Sequence, residues 1–345
     1  MHSVFDMINR HMRHGTRMRL NFIRNYFLLK RLRNRVKREN HERRIIAVML
    51  LENMGDIVAC EPVVRYLKEK TPDSVIVWVV KKVYRELIDS NPFIDLTVSL
   101  HCLSERLLLI NSGLFDEVVD LHFVDRYCSL CRRPLKKDQD VAGITLNNYF
   151  HYGSLLSAMA QSAGLPALEE GPRVYIPKHS SAAVDALGLP GEFIVINCTS
   201  NADEKGWPKE KWECLLGEIK ERCALPVVEV GLKPLIDRSS GIYYGLCGKL
   251  SIMESAEVIR RARLFIGIDS GPAHLANAVN THGIVLMGNY LGFKRYLPFS
   301  GFYKESEHAE IVYADGSAAE ISVERVFAAV EKMLNNASVG ISHCE

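Results

Sequence analysis

Residues 264–277, LFIGIDSGPAHLAN, join an apolar run to a polar turn and then to a helical pattern. The run LFIGI predicts a strand buried on both faces, which is typical of a parallel sheet. The turn DSGP predicts a helix start, because Ser270 or Gly271 suits the N-cap and Pro272 suits the first helical position. The stretch therefore predicts a strand, a tight turn and a helix in immediate succession.

A helix that begins in this way presents free backbone N–H groups and the positive end of its dipole, which together favour a phosphate group. Asp269 and His274 flank the turn and could contact polar groups of the molecule that carries the phosphate. An ordinary capped helix without a ligand is the alternative interpretation of the same stretch.

The rest of the chain repeats this alternation. We predict strands at residues 45–51, 74–80, 96–100, 115–121, 193–197, 226–231, 264–268 and 283–287, and helices at 57–70, 84–89, 103–112, 152–163, 209–223, 251–262, 272–279 and 322–336. Alternation of this kind predicts parallel sheets with helices on both faces. Because 345 residues suit two domains, the predicted fold class is α/β, with two Rossmann-like doubly wound domains facing across a cleft. The predicted boundaries are a basic helical arm at 1–44, domains at 45–180 and 190–320, and a C-terminal helix and tail at 321–345.

Positive charge is concentrated in the arm. Residues 1–44 contain thirteen Lys or Arg and three acids, a balance of +10, while the whole chain carries only +2. Apolar residues are interleaved with these charges, and Phe22, Tyr26 and Leu29 recur at helical spacing. A basic amphipathic helix can bind an anionic membrane surface. The alternatives are nucleic-acid binding and packing on its own protein or on a second copy in a homo-oligomer.

Targeting signals are also informative. No run is long enough to span a bilayer, and the N-terminus lacks the continuous apolar core and cleavage site of a secretory signal. We therefore predict a cytoplasmic protein, peripheral to the inner face of the cytoplasmic membrane, with no nucleic acid among its partners.

Two further turns carry polar side chains at predicted strand ends, where ligands of parallel sheets bind. The loop after the first strand of the second half contains Thr199, Ser200 and Lys205, and two hydroxyls with one ammonium suit a phosphate. Asp56 follows Gly55, a residue that lets backbone approach a ligand closely, and its carboxylate could take a proton from an attacking hydroxyl. The alternatives are a solvated polar loop in the first case and a helix N-cap for Asp56.

Nine cysteines are scattered along the chain, and their odd number favours reduced thiols. Cys128 and Cys131 form a Cys-x-x-Cys pair with Cys102 and His122 nearby in sequence, and this group could bind zinc or iron. A structural zinc site needs four ligands and only one close pair is visible, so we predict no metal. A basic cluster directly follows the pair and consists of Arg132, Arg133, Lys136 and Lys137. This cluster could meet phosphorylated groups of a substrate or be a solvated loop.

Together these stretches resemble glycosyltransferase family 9, the lipopolysaccharide heptosyltransferases. The matching pieces are MGDIVACEPVVRYLKEKTPDSVIVWV (54–79), TSNADEKGWPKEKW (199–212), CGKLSIMESAEVIRRARLFIGIDSGPAHLANA (247–278) and the valine-rich strand that ends in Met287-Gly288. They occur in the order and spacing of that family. The resemblance implies the GT-B fold, a nucleotide-diphospho-sugar donor such as ADP-heptose with no other cofactor, and inversion at the anomeric carbon.

The resemblance also implies roles for individual residues. In such enzymes the second domain holds the nucleotide sugar and the first holds the acceptor. By position, Asp56 is then the general base, and Lys205 binds the diphosphate and stabilises the leaving group. The remaining donor-binding residues are Thr199, Ser200, Asp269, Ser270, Gly271 and His274, and the acceptor side includes Gly55, Arg132 and Arg133. Two positions differ from the family pattern: Leu50 and Leu51 stand where many members carry Lys or Arg, and residues 231–237 show no clear ribose-binding carboxylate.

The sequence thus predicts an inverting glycosyltransferase that moves a sugar, with heptose the first candidate, from a nucleotide-diphosphate donor to a saccharide or lipid-linked acceptor in lipopolysaccharide or related glycoconjugate synthesis. The alternative is a non-catalytic nucleotide-sugar-binding or membrane scaffold protein with the same fold. A dinucleotide oxidoreductase is disfavoured because no G-x-G-x-x-G follows the first strand.

Overall fold

The structure of the chain is a computed structural model that describes residues 4–128, 131, 133–134, 137, 142–236, 243–289 and 295–341, with side chains except at 4–14, 203 and 337–341. The chain divides into two compact units, unit 1 at Met1–Leu168 and unit 2 at Glu169–Glu345. Each unit has its own parallel sheet, which confirms the predicted α/β class.

Unit 1 contains a four-stranded parallel sheet in the order β3-β2-β1-β4 and a short antiparallel pair, β5 and β6. The strands are β1 (Ile45–Met49), β2 (Val75–Lys81), β3 (Leu96–Leu100), β4 (Glu117–Asp120), β5 (Tyr127–Cys128) and β6 (Arg133–Pro134). The helices are α1 (Val4–Glu39), α2 (Met54–Ala59), α3 (Pro62–Lys70), α4 (Glu86–Asp89), α5 (Glu105–Ile110) and α6 (Leu155–Ser162). Every residue of β1 is buried, because a central parallel strand is covered on both faces.

One face of α1 packs against the core of unit 1. Leu29, Leu32 and Val36 belong to the hydrophobic core, and Phe22 and Tyr26 pack partly buried against it. This face contains the Phe22–Tyr26–Leu29 repeat of the sequence, so packing on its own protein is the correct interpretation of that repeat.

The opposite face of α1 is exposed and mixes apolar with basic side chains. Leu20, Ile23 and Phe27 are 64%, 49% and 57% exposed. The exposed arginines of the same face are Arg17, Arg24, Arg31, Arg35 and Arg38. Among the described residues, no helix combines the length and the hydropathy needed to cross a bilayer.

Unit 2 contains a six-stranded parallel sheet in the order β12-β11-β10-β7-β8-β9. The strands are β7 (Ile194–Asn197), β8 (Val227–Glu229), β9 (Tyr243–Gly245), β10 (Leu264–Ile268), β11 (Gly283–Met287) and β12 (Ala309–Tyr313). The helices are α7 (Lys178–Asp185), α8 (Lys209–Glu218), α9 (Ile252–Arg261), α10 (Gly271–Ala278) and α11 (Val323–Ile341). Counted within the unit, the strand order is that of the dinucleotide-binding Rossmann fold.

Some elements differ from the prediction. The helix predicted at 57–70 is two helices, α2 and α3, because Pro62 has no N–H to continue the hydrogen-bond ladder and begins the second. Strands β9 and β12 and the pair β5 and β6 were not predicted. Helix α7 (Lys178–Asp185) crosses the predicted end of the first domain at residue 180 and packs on α9.

Candidate functional site

The carboxyl ends of β7 and β10 lie side by side in the middle of the unit 2 sheet, with Asn197 paired to Gly267. From this point β8 and β9 extend to one side and β11 and β12 to the other. Such a reversal of strand order opens a crevice at the carboxyl ends of the strands, where ligands of these sheets bind. The two polar loops that the sequence singled out in the second half both begin here.

Lys205 and Asp269 form an ion pair across these two loops. Nζ of Lys205 lies 2.5 Å from Oδ2 of Asp269, and the side chains remain 21% and 22% exposed. Lys205 ends a short 3-10 turn after β7, and Asp269 directly follows β10. The pair therefore offers a charged donor for an anion beside a carboxylate that can accept hydroxyl groups.

The start of α10 lies next to this pair. The helix begins at Gly271, with Ser270 at the N-cap and Pro272 in the first turn. Ser270 Oγ does not cap the helix but donates to Oδ1 of Asn197 at 2.7 Å, and Asn197 donates to the carbonyl of Val230 at 3.0 Å. The Ser270 hydroxyl thus ties the end of β10 to β7 and β8, and the first-turn N–H groups have no side-chain cap.

The loop after β7 is shaped by its own hydrogen bonds. Ser200 Oγ accepts the N–H of Ala202 at 3.1 Å and donates to the carbonyl of the same residue at 2.8 Å. At the far end of the loop the buried indole of Trp207 donates to the carbonyl of Ile321 at 2.9 Å. The loop is fixed at both ends, which sets the position of Lys205 between them. Thr199 lies half-buried at its start.

Gly231, just after β8, leaves room for this loop. Its φ is +144°, and a Cβ built there would lie 3.0 Å from Nδ2 of Asn197 and 3.7 Å from Oγ1 of Thr199. Only glycine adopts this backbone conformation without strain. The exit of β8 therefore runs directly against the residues that position Ser270.

His274 is buried on the first turns of α10. Its ring packs on Phe299 with the centroids 4.8 Å apart, and its Nδ1 has no hydrogen-bond partner among the described residues. Burial lowers the pKa of His274 to about 4, and the charge of Asp269 opposes this shift. The imidazole is therefore neutral at neutral pH, with one buried nitrogen available for a partner.

In unit 1, Asp56 is the third residue of α2 and Asn53 is the N-cap. The Asp56 carboxylate accepts the N–H of Asn53 at 2.9 Å, so Asp56 closes the helix start from the third helical position and is not the N-cap that the alternative interpretation predicted. Burial and the charge of Asp56 raise the pKa of Tyr84. Burial lowers the pKa of Arg126, but the hydrogen bond to Glu52 and the charges of Glu52 and Asp56 raise it, and the net effect is a raised pKa. Asp56 therefore lies near a phenol and a guanidinium.

A buried polar network supports the loop that carries Asp56, and the sequence did not reveal it. The Nε2 atom of His122 accepts the N–H of Leu51 at 2.8 Å, and Nδ1 lies 2.6 Å from Oδ1 of Asp120. Burial lowers the pKa of His122 to about 3, so the ring is neutral and Nδ1 carries the proton. Asp120 also pairs with the buried Arg106. His122 thus joins the ends of the neighbouring strands β1 and β4, and both of its nitrogens are engaged, which removes it from any metal site.

The basic cluster is divided by the structure. Arg133 is exposed on β6, whereas Lys137 Nζ donates to the carbonyl of His122 at 2.9 Å and to Oγ of Ser162 at 2.7 Å. Arg132 and Lys136 lie outside the described residues. Lys137 therefore holds α6 to the end of β4, and of the described members only Arg133 is presented to solvent.

The family model and the curated relative that match this chain both name heptosyltransferases. The family model of glycosyltransferase family 9 (heptosyltransferase) matches residues 107–290. A lipopolysaccharide heptosyltransferase 3 of Escherichia coli is 32% identical over 177 residues, which are 47% of this chain and 43% of that protein. The chain thus matches less than half the length of this relative.

Solved structures show the same fold. E. coli ADP-heptose lipopolysaccharide heptosyltransferase II aligns with a TM-score of 0.65 and 15% identity over 86% of this chain and 99% of that chain. The E. coli heptosyltransferase WaaC, solved with ADP, aligns with a TM-score of 0.60 and 15% identity over 84% of this chain and 99% of that chain.

Proposed function

The chain belongs to glycosyltransferase family 9, and from this premise we propose that it is an inverting glycosyltransferase. It transfers a heptose-type sugar from a nucleotide-diphosphate donor to a saccharide or lipid-linked acceptor, in the synthesis of lipopolysaccharide or a related glycoconjugate. The observation that carries the proposal is the pairing of Lys205 with Asp269 beside the start of α10. Matched relatives named as lipopolysaccharide heptosyltransferases, and one solved with ADP, support the choice of sugar and nucleotide.

Unit 2 binds the donor in this proposal. The diphosphate lies at the uncapped N-terminus of α10, where the N–H groups of the first turn and the helix dipole favour negative charge. Lys205 turns from Asp269 towards the phosphate and Asp269 accepts hydroxyl groups of the sugar, so the ion pair is exchanged for two contacts with the donor. Thr199 and Ser200 belong to the same loop as Lys205, and their hydroxyl groups make further contacts with the diphosphate.

The chemical step needs a base and a stabilised leaving group. Asp56 takes the proton from the acceptor hydroxyl as its oxygen attacks the anomeric carbon from the face opposite the diphosphate. The bond between this carbon and the diphosphate oxygen breaks, and the nucleoside diphosphate leaves with the electron pair. Lys205 and the start of α10 stabilise the charge that develops on it. Gly55 and Arg133 lie on the acceptor side, as does Arg132, which is outside the described residues.

The isosteric variant Asp56→Asn tests the assignment of the base. Asparagine keeps an oxygen that can accept the Asn53 N–H, so α2 stays closed while the base is removed. We expect turnover to fall by about 10²–10⁴-fold, with the affinity for ADP within a few-fold of wild type by calorimetry. Asp89→Asn, which alters an exposed carboxylate on α4, is the matched control. Full turnover in Asp56→Asn would refute the role, and a wild-type protein that binds ADP-heptose without transferring or hydrolysing it would favour the non-catalytic alternative.

The exposed face of α1 is proposed to place the protein on an anionic membrane. Leu20, Ile23 and Phe27 supply an apolar stripe, and each of the five exposed arginines around it contributes about 1 kcal/mol of attraction to a negatively charged surface. Such a helix lies in the headgroup layer instead of crossing it. A cytoplasmic enzyme held there would encounter a lipid-linked acceptor by diffusion in the plane of the membrane.

A further inference from the structure

Three cysteine sulfurs converge in unit 1, beside β6, which carries Arg133. The Sγ atoms of Cys102, Cys128 and Cys131 all lie within 4.8 Å of one another. They come from two parts of the chain: Cys102 follows β3, while Cys128 ends β5 and Cys131 lies in the turn before β6. None of the three is in a disulfide bond. Cys102 was grouped with the Cys-x-x-Cys pair only because it is nearby in sequence, and the fold brings its sulfur to the pair.

The spacing fits a metal ion. Thiolates bind zinc at about 2.3 Å, so two sulfurs of a tetrahedral site lie about 3.8 Å apart, and the observed cluster needs only small side-chain adjustments to reach this. Soft thiolate ligands select zinc and similar thiophilic ions over calcium or magnesium. We propose that Cys102, Cys128 and Cys131 bind one zinc ion in unit 1.

The three cysteines differ in burial, and one of them contacts a serine hydroxyl. Cys102 and Cys128 are 2% and 4% exposed, while Cys131 is half-buried, so two ligands are held in the core and the third faces an entry path. Oγ of Ser104 lies 2.7 Å from Sγ of Cys131 and can donate to a metal-bound thiolate, as outer-shell groups at metal sites do. Among the described residues, no fourth His, Cys, Asp or Glu belongs to the cluster, so water would supply the fourth ligand.

The ion would act as a structural link. The β5 and β6 pair contains only four strand residues, and a pair of this length is marginal in water without further support. Zinc would join this pair to the end of β3. Arg126, which precedes β5 and pairs with Glu52, would be fixed by the same link.

Metal analysis of the full-length protein tests the site. After incubation with zinc and removal of the excess, we expect about one zinc per chain by mass spectrometry, retained in Cys214→Ser and lost in Cys131→Ser. Cys214 is an exposed cysteine on α8 of unit 2 and is the matched control. Replacement of zinc by Co²⁺ should give the strong thiolate-to-cobalt charge-transfer absorption in wild type and Cys214→Ser only.

A second measurement uses wild-type protein alone, in case Cys131→Ser does not fold. Brief alkylation followed by peptide mapping should modify Cys131 slowly with zinc bound and at least tenfold faster after a chelator, while Cys214 reacts equally in both states. Absence of both bound zinc and cobalt absorption in folded wild type would overturn the proposal. So would unchanged metal content in folded Cys131→Ser, or a disulfide within the cluster in protein purified under reducing conditions.

Discussion

At the scale of single residues, the contribution of Lys205 can be isolated. Removing one preorganised donor from a developing oxyanion costs on the order of a hundredfold in turnover, and Lys205→Ala also leaves Asp269 without the ammonium that lies 2.5 Å from it. We expect kcat to fall by about 10²-fold in a transfer assay with ADP-heptose. Lys220→Ala, which alters an exposed lysine in the helical turn that follows α8, should behave as wild type. A kcat for Lys205→Ala within threefold of wild type would contradict the leaving-group role.

His274 gives unit 2 a defined response to acid. Burial holds the pKa of His274 at about 4, against an ordinary value of 6.5. Between these two values the unfolded chain takes up a proton that the folded chain does not, so the free energy of unfolding falls as the pH falls through this window and is unaffected above it. The difference corresponds to about 3 kcal/mol at most.

The variant His274→Gln removes this proton uptake and retains a polar side chain. We expect its urea-unfolding free energy to change less than that of wild type between about pH 7.5 and about pH 5. His122 in unit 1, with its pKa lowered to about 3, contributes in the same direction in both proteins. The difference between the two proteins therefore measures the contribution of His274. Equal slopes of the unfolding free energy against pH in wild type and variant would show that His274 is not buried in its neutral form.

At the scale of elements, α1 has one face that packs in the core of unit 1 and one face that is exposed. Leu29→Ala on the inner face should lower the free energy of unfolding by about 2–5 kcal/mol, because it leaves a cavity in the core of unit 1. Phe27→Ser on the outer face should change stability little, since Phe27 is 57% exposed. Urea unfolding of the two variants separates these expectations, and a large loss in Phe27→Ser would show that the outer face is covered by protein.

Vesicle binding tests the outer face directly. Wild type should sediment with vesicles that contain phosphatidylglycerol and much less with neutral phosphatidylcholine vesicles, and binding should weaken as salt screens the arginines. The double variant Ile23→Ser/Phe27→Ser should bind several-fold more weakly at unchanged stability. Equal binding of the variant and wild type would exclude the stripe as the attachment surface.

Elements could be predicted from the sequence where a local pattern is strong. The runs at β10 and β11 are apolar, short and bounded by turn residues, and the predicted limits match the structure. Strand β12, AEIVY, is short, contains a glutamate and lies at the edge of the sheet, and this weaker signal was missed. The hydrogen bond from the Leu51 N–H to His122 could not be predicted, because only the sheet topology brings these two residues together.

At the scale of the whole molecule, the two units place the proposed roles in separate cores. The ion pair, the start of α10 and His274 all belong to unit 2, and Asp56 with its supporting network belongs to unit 1. The sequence stretches that carry the family resemblance occur in both units, which explains why the function could be proposed from scattered pieces. Variants of Asp56 should therefore separate turnover from donor binding, whereas variants of Lys205 should affect both.

Because the roles lie in separate units, bound ADP should protect the backbone amides of one unit from hydrogen exchange more than those of the other. A ligand that binds only the folded state at 100 times its dissociation constant stabilises that state by about 2.7 kcal/mol. Hydrogen exchange with saturating ADP should slow most at amides of unit 2, above all in the loop after β7 and the first turn of α10. Lys205→Ala should show much weaker protection at the same ADP concentration, and Asp56→Asn should show the wild-type pattern. Protection centred on the loop after β1 in unit 1 would reverse the assignment of donor and acceptor sides.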